Sequence, residues 1–100
     1  MSMSAYEQIL KGERPVLIDF FATWCGPCKM MSPILDQLKE KVGDRLRILK
    51  VDVDKNPKIA ALYNVRGVPT LVLMKGGEIK WRQSGVVDVD TLAQLIQQHG

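Results

Sequence analysis

Cys25 and Cys28 are the only cysteines of the chain, and Gly26 and Pro27 alone separate them. A thiolate is a strong nucleophile, and a second thiol this close can be joined to it, so the pair is suited to thiol–disulfide exchange. Three other uses compete. A structural bridge over so short a loop removes little entropy from the unfolded chain and is a poor staple. Structural zinc needs about four ligands, and the one histidine, His99, stands at the far end of the sequence. Exchange chemistry and a pair of inert buried thiols are the readings left.

The flanking residues say how the pair is held. An apolar run, Val16 to Ala22, precedes it, and a helix-like pattern from Lys29 to Lys41 follows it. The cysteines therefore fall at a strand-to-helix junction. Unpaired N–H groups and the dipole at a helix N-terminus stabilise an anion, so Cys25 is the candidate nucleophile, its thiol pKa lowered. Cys28 lies one helical turn on, within bridging reach.

Ser4 and Glu7 have capping-box spacing, which predicts a short helix over about Ala5 to Lys11. Pro15 leads into Val16–Ala22, whose nearly continuous apolarity predicts a strand buried on both faces. Met30, Met31, Ile34, Leu35, Leu38 and Val42 mark a helical stripe that contains Pro33, where a kink is expected. Branched residues from Leu46 to Val53 predict a strand parallel to the first. Asn56 and Pro57 read as N-cap and first residue of a helix to about Tyr63. Leu71–Met74, the turn Lys75-Gly76-Gly77-Glu78, and Ile79–Ser84 read as a hairpin. Asp88 caps a last helix, with Val89, Leu92, Leu95, Ile96 and His99 on one face.

The order α-β-α-β-α-β-β-α predicts one α/β domain over residues 1–100, with a mixed sheet of four strands flanked by helices. Only three residues precede the Ser4 cap of the first helix, so an N-terminal edge strand is short or absent. Leu46–Val53 would then be an edge, with Arg45, Arg47 and Lys50 discouraging self-pairing.

At 46% hydrophobic and 25% charged, the chain has the balance of an ordinary globular domain rather than a disordered one. Its net charge of +3 comes from cations spread along the sequence, so no nucleic-acid arm is expected. No run of 18 apolar residues and no leader-like start occur, which predicts no membrane span and a cytoplasmic location. The five methionines read as core fillers, and Trp81 as strand packing.

Asp19-Phe20-Phe21-Ala22-Thr23-Trp24-Cys25-Gly26-Pro27-Cys28-Lys29, then Pro33, Val51-Asp52-Val53-Asp54, Asn56-Pro57, Arg66-Gly67-Val68-Pro69-Thr70, Gly76-Gly77 and Gly85 follow one another in the order and at the spacing of the thioredoxin family, which the chain resembles over nearly its whole length. The resemblance implies a thioredoxin fold and reduction of protein disulfides, with Cys25 attacking and Cys28 resolving. No bound cofactor is implied. A flavoprotein reductase using NADPH is the implied electron donor, disulfide-containing proteins the implied substrates, and a monomer the expected state. The resemblance breaks at the start of the chain, where the family usually carries an extra edge strand.

Further roles come with the resemblance. Asp19, a carboxylate in an apolar strand with a raised pKa, is implied as the proton acceptor for Cys28, with Lys50 on the neighbouring strand as its charge partner. The Val68–Pro69 bond is cis in the family. Trp24, Gly26, Pro27, Gly67, Val68, Pro69, Gly85 and Val86 are implied to form a flat docking patch for an extended substrate. Bland readings stand beside these: a salt-bridged strand aspartate, a plain edge lysine, and a core aromatic for Trp24. Pro27 adds no positive charge near the thiolate, whereas oxidising and isomerising relatives usually carry histidine there. Gly26-Pro27 thus argues for a reductant; the alternatives beside it are a thiol oxidant or isomerase, which Pro27 disfavours, and a docking module without turnover, which the intact cysteine pair, Asp19 and Pro69 disfavour.

Overall fold

The structure, a computed structural model, describes residues 1–99; Gly100, the last residue of the expected domain, lies outside the described residues. Among the described residues four helices and four strands follow one another in the expected order: α1 (Met3–Leu10), β1 (Val16–Phe21), α2 (Gly26–Val42), β2 (Arg47–Asp52), α3 (Pro57–Leu62), β3 (Thr70–Lys75), β4 (Glu78–Ser84) and α4 (Val89–His99). One 3-10 turn, Gly43–Arg45, links α2 to β2. The sheet order is β2-β1-β3-β4. β1 pairs parallel with β2 and antiparallel with β3, and β3 and β4 are antiparallel, so the sheet is mixed and β2 is an outer strand as expected.

Alternation along β1 divides the interior. Val16, Ile18 and Phe20 pack with Tyr6 of α1 and with Ile59, Ala60 and Tyr63 in and beside α3. Leu17 points the other way, among Met31, Leu35, Leu38 and Val42 of α2 and Leu92 and Ile96 of α4. Each face of the sheet thus carries two helices. On the first face the Tyr6 and Tyr63 hydroxyls are hydrogen-bonded to each other, and Phe20 lies tilted against the Tyr63 ring.

Three local expectations need correction. The cap of α1 is Ser2, whose hydroxyl accepts from the Ala5 N–H at 3.0 Å; the helix starts before Ser4, and no capping box with Glu7 forms. Asn56 occupies the N-cap position of α3 but donates its amide to the Asp52 carbonyl at 3.0 Å instead of capping. Met30 is 60% exposed and Met1 50%, so these two are not core fillers, while Met31 and Met74 are buried. Met30 falls on the side of α2 away from the buried Met31, Leu35 and Leu38.

The turns behave as their residues require. Gly76 and Gly77 have φ of 61° and 79°, the left-handed pair that a two-residue hairpin matching strand twist demands. Asp88 holds the start of α4 through bonds from Thr91 N–H (3.1 Å) and Thr91 Oγ1 (2.6 Å). These bonds also hold its carboxyl below the ordinary aspartate range. α2 runs unbroken through Pro33, and Trp81 packs against the core on the α2 side.

Candidate functional site

α2 begins at Gly26, earlier than the apolar stripe alone suggests, so the cysteine pair straddles its N-terminus. Cys25 is the N-cap, in extended conformation, and its Sγ accepts the Cys28 N–H at 3.1 Å. A sulfur therefore sits where helix N–H groups converge, the position that favours a thiolate. Pro27 lies in the first turn, where no N–H is required. The two sulfurs are joined as a disulfide, with Cα atoms 5.3 Å apart. Ala22 packs with both cysteines, and Phe21, Val53 and Val68 lie around them.

Cys25 is 4% exposed and Cys28 7%. Exposure thus does not tell the two sulfurs apart. Position does: Cys25 holds the cap, whereas Cys28 faces inward onto a cavity of about 340 Å³ lined also by Asp19, Phe21, Ala22, Ser32 and Lys50.

Asp19 shares the side of β1 that faces α2 and is 3% exposed. Its Oδ1 has no hydrogen-bond partner. Burial raises its carboxyl to about 6, against a smaller opposing pull from Lys50. Lys50 stands opposite Asp19 in the β1–β2 register, yet its ammonium goes to Ser32 Oγ at 3.3 Å. The expected partnership is therefore electrostatic and at a distance, and no Asp19–Lys50 ion pair occurs among the described residues. The salt-bridged reading of Asp19 falls with it. Ser32 went unnoticed in the sequence because a serine at the margin of a helical stripe resembles any solvated residue.

Around the disulfide, separate elements converge. The Val68–Pro69 bond is cis. Thr70 Oγ1 donates to the Gly67 carbonyl at 2.6 Å, and the Gly85 N–H donates to the Pro69 carbonyl at 2.8 Å. These bonds bring the end of β4 to the loop before β3. Gly85 has φ of 94°, a conformation few side chains tolerate. Trp24 is 71% exposed, which rules out a core aromatic; its Nε1 donates to Asp54 Oδ2 at 2.9 Å. A groove of about 120 Å³ runs between Trp24, Val53, Val65, Arg66, Gly67 and Val68. Asp54 and Arg66 had no assigned role in the sequence; the hydrogen bond and the groove give them one. Gly26, Pro27 and Val86 are exposed as well.

The family model described as Thioredoxin matches residues 1–98. The chain belongs to the thioredoxin family. Its curated relatives include the thioredoxin of Acidithiobacillus ferridurans, 46% identical over 88% of this chain and 82% of that one, and the thioredoxin of Bacillus subtilis, 44% identical over 87% and 84%. Thioredoxin Y of rice, described as chloroplastic, is 40% identical over 96% of this chain and 58% of its own length. Among solved structures, a mutant thioredoxin from Halobacterium salinarum superposes with a TM-score of 0.89 at 39% identity, covering 98% of this chain and 85% of that one. The fold is accordingly a thioredoxin fold, and this thioredoxin-family chain is a thiol–disulfide oxidoreductase acting through a disulfide-capable cysteine pair. No described helix is long and apolar enough to cross a membrane.

Proposed function

We propose that the chain reduces protein disulfides, and that Asp19, buried against the cavity onto which Cys28 opens, carries the proton in the second half-reaction. The observation behind this reading is the unpartnered carboxylate oxygen in that cavity. In the first step the Cys25 thiolate attacks one sulfur of a partner disulfide, forming an intermolecular S–S bond and expelling the other sulfur as a thiolate. In the second, Asp19 takes the Cys28 proton and Cys28 attacks Cys25 Sγ. A Cys25–Cys28 disulfide forms, and the second partner thiolate leaves. Two electrons have passed to the partner, and Asp19 returns its proton to solvent or to the leaving sulfur.

The patch of exposed Trp24, Gly26, Pro27, Gly67 and Val86 with half-buried Val68 and Gly85 and buried Pro69 beneath it holds the partner segment, and small residues let its backbone approach. Resetting the pair needs a two-electron donor, for which a flavoprotein reductase drawing on NADPH is the family's solution. A monomer in a reducing compartment such as the cytoplasm suits this cycle. Single-turnover exchange with a disulfide protein tests it. Cys28→Ser should accumulate the mixed disulfide and Cys25→Ser should form none; mixed disulfide on Cys28 in the Cys25→Ser variant would reverse the assignment.

A further inference from the structure

The outer edge of β2 holds an open stretch of backbone in a cationic setting. Arg47 N–H bonds to the Pro15 carbonyl (3.0 Å) and Val53 N–H to the Phe21 carbonyl (2.9 Å). In a parallel pair the residues between them alternate, so Leu49 and Val51 also turn their backbone groups to β1, and Leu46, Ile48, Lys50 and Asp52 turn theirs outward. Both ends of this outward row are closed. The Lys39 ammonium bonds to the Leu46 carbonyl, and the Asp52 carbonyl accepts from Asn56 N–H (2.9 Å) and from the Asn56 side chain. Between them, the N–H and C=O of Ile48 and of Lys50 face away from the sheet, in the pattern that takes up one further short strand.

The side chains beside this opening choose the strand. A groove of about 470 Å³ lies between β2 and α2, with Leu35 and Ile48 as its apolar part and Lys39, Arg47 and Lys50 against a single carboxylate, Asp36. The Arg47 side chain is exposed and has no hydrogen-bond or ion-pair partner among the described residues. Two copies of this chain pairing edge to edge would bring two sets of Arg45, Arg47 and Lys50 onto one ribbon, which like-charge repulsion opposes. A strand that alternates acidic and apolar residues meets the opposite condition: on the face of Ile48 its apolar side chains enter the groove, and on the other face its carboxylates stand beside Arg47.

We infer that the β2 edge is a second docking surface, separate from the cysteine rim, which takes an extended acidic peptide by strand addition at Ile48 and Lys50. The probe is the blocked hexapeptide Glu-Val-Glu-Val-Glu-Val, with Lys-Val-Lys-Val-Lys-Val as control, titrated into 15N-labelled protein. The acidic peptide should saturate, protect the Ile48 and Lys50 amides from hydrogen exchange, and weaken as salt rises. Arg47→Glu should weaken it by about tenfold or more. Ile48→Pro removes an N–H that the β1 ladder does not use, so it should abolish binding while circular dichroism and disulfide reductase activity stay as in the parent.

Equal binding of both peptides, or shifts confined to residues around Trp24 and Val68, would overturn the inference. Concentration-dependent protection of the same amides without peptide would assign the edge to a second copy and overturn it equally. Because the readout is amide protection at β2, loss of the edge site and failure of the Cys25–Cys28 cycle are told apart.

Discussion

The Lys50 ammonium donates to Ser32 Oγ at 3.3 Å, although the residue opposite Lys50 across the β1–β2 ladder is Asp19. α2 thereby holds a cation near the cavity but off the carboxylate, and burial is left to dominate Asp19. A carboxyl near 6 is more useful to a thiol than one near 4, because its affinity for a proton lies closer to the thiol's own.

Ser32→Ala should free Lys50 to approach Asp19, and the carboxyl should then titrate at lower pH than in the parent. Lys50→Met removes the only charge credited with lowering it and should move the midpoint upward. Carboxyl 13C chemical shifts followed against pH read both changes directly. An Asp19 midpoint that ignores both substitutions would mean that burial alone sets it.

Asp19 also weakens the fold in a pH-dependent way. Its pKa is higher folded, about 6, than the ordinary value of 3.8, so the native state binds the proton more tightly than the unfolded state does. Stability is unaffected well below pH 3.8, where both states are protonated, falls as pH rises from about 3.8 to about 6, and stays lower above 6. Asp19→Asn should therefore stabilise the protein by about 2–3 kcal/mol at pH 7 and by almost nothing at pH 3.5. Urea unfolding at the two values gives the difference. The same variant should slow mixed-disulfide resolution, and its rate should lack the rise through about pH 6.

Pro27→His places a cation-forming ring beside the cap sulfur. The reduced thiolate gains more from it than the disulfide does, so the variant should be the stronger oxidant. A potential at least ~30 mV higher in a glutathione redox buffer, a tenfold change in equilibrium constant, is the expected result. An unchanged potential would remove the argument that Gly26-Pro27 favours reduction.

Tyr6→Phe removes one hydroxyl of the buried pair and leaves that of Tyr63 without its partner, at a cost of about 1–3 kcal/mol. Replacing both tyrosines by phenylalanine should recover most of the loss, since no orphaned hydroxyl remains. Denaturant midpoints of the three variants form a double-mutant cycle, and strictly additive losses would deny the coupling.

The architecture was legible because β1, α2 and the Gly76–Gly77 turn each carry a local pattern that agrees with the whole. Residues whose partners lie far along the chain were less so. Tyr6 reads as one apolar position of a short helix; only the packing of α1 against α3 gives it Tyr63, 57 residues away. Ser32 meets Lys50 across 18 residues, and Trp24 meets Asp54 across 30. Caps were misplaced for a related reason. Ser2, Ser4 and Asn56 all have capping chemistry, and what decides among them is where the chain can first turn, as α1 seats Tyr6 in the core and Asn56 is drawn to the Asp52 carbonyl. The cysteine pair needed no distant partner to be noticed, whereas the rim proposed to dock substrate draws on three separate segments.

That division extends to how the molecule comes apart on warming. The disulfide is carried at the end of β1, which has a strand on each side, while Gly85 and Val86 follow β4, an outer strand whose side chains are mostly exposed. Fraying starts at such margins and reaches doubly flanked strands last. A molecule frayed at β4 has lost the Gly85–Pro69 bond but keeps its cap sulfur and the cavity behind it, so it would go on exchanging with small thiols after its grip on proteins had gone.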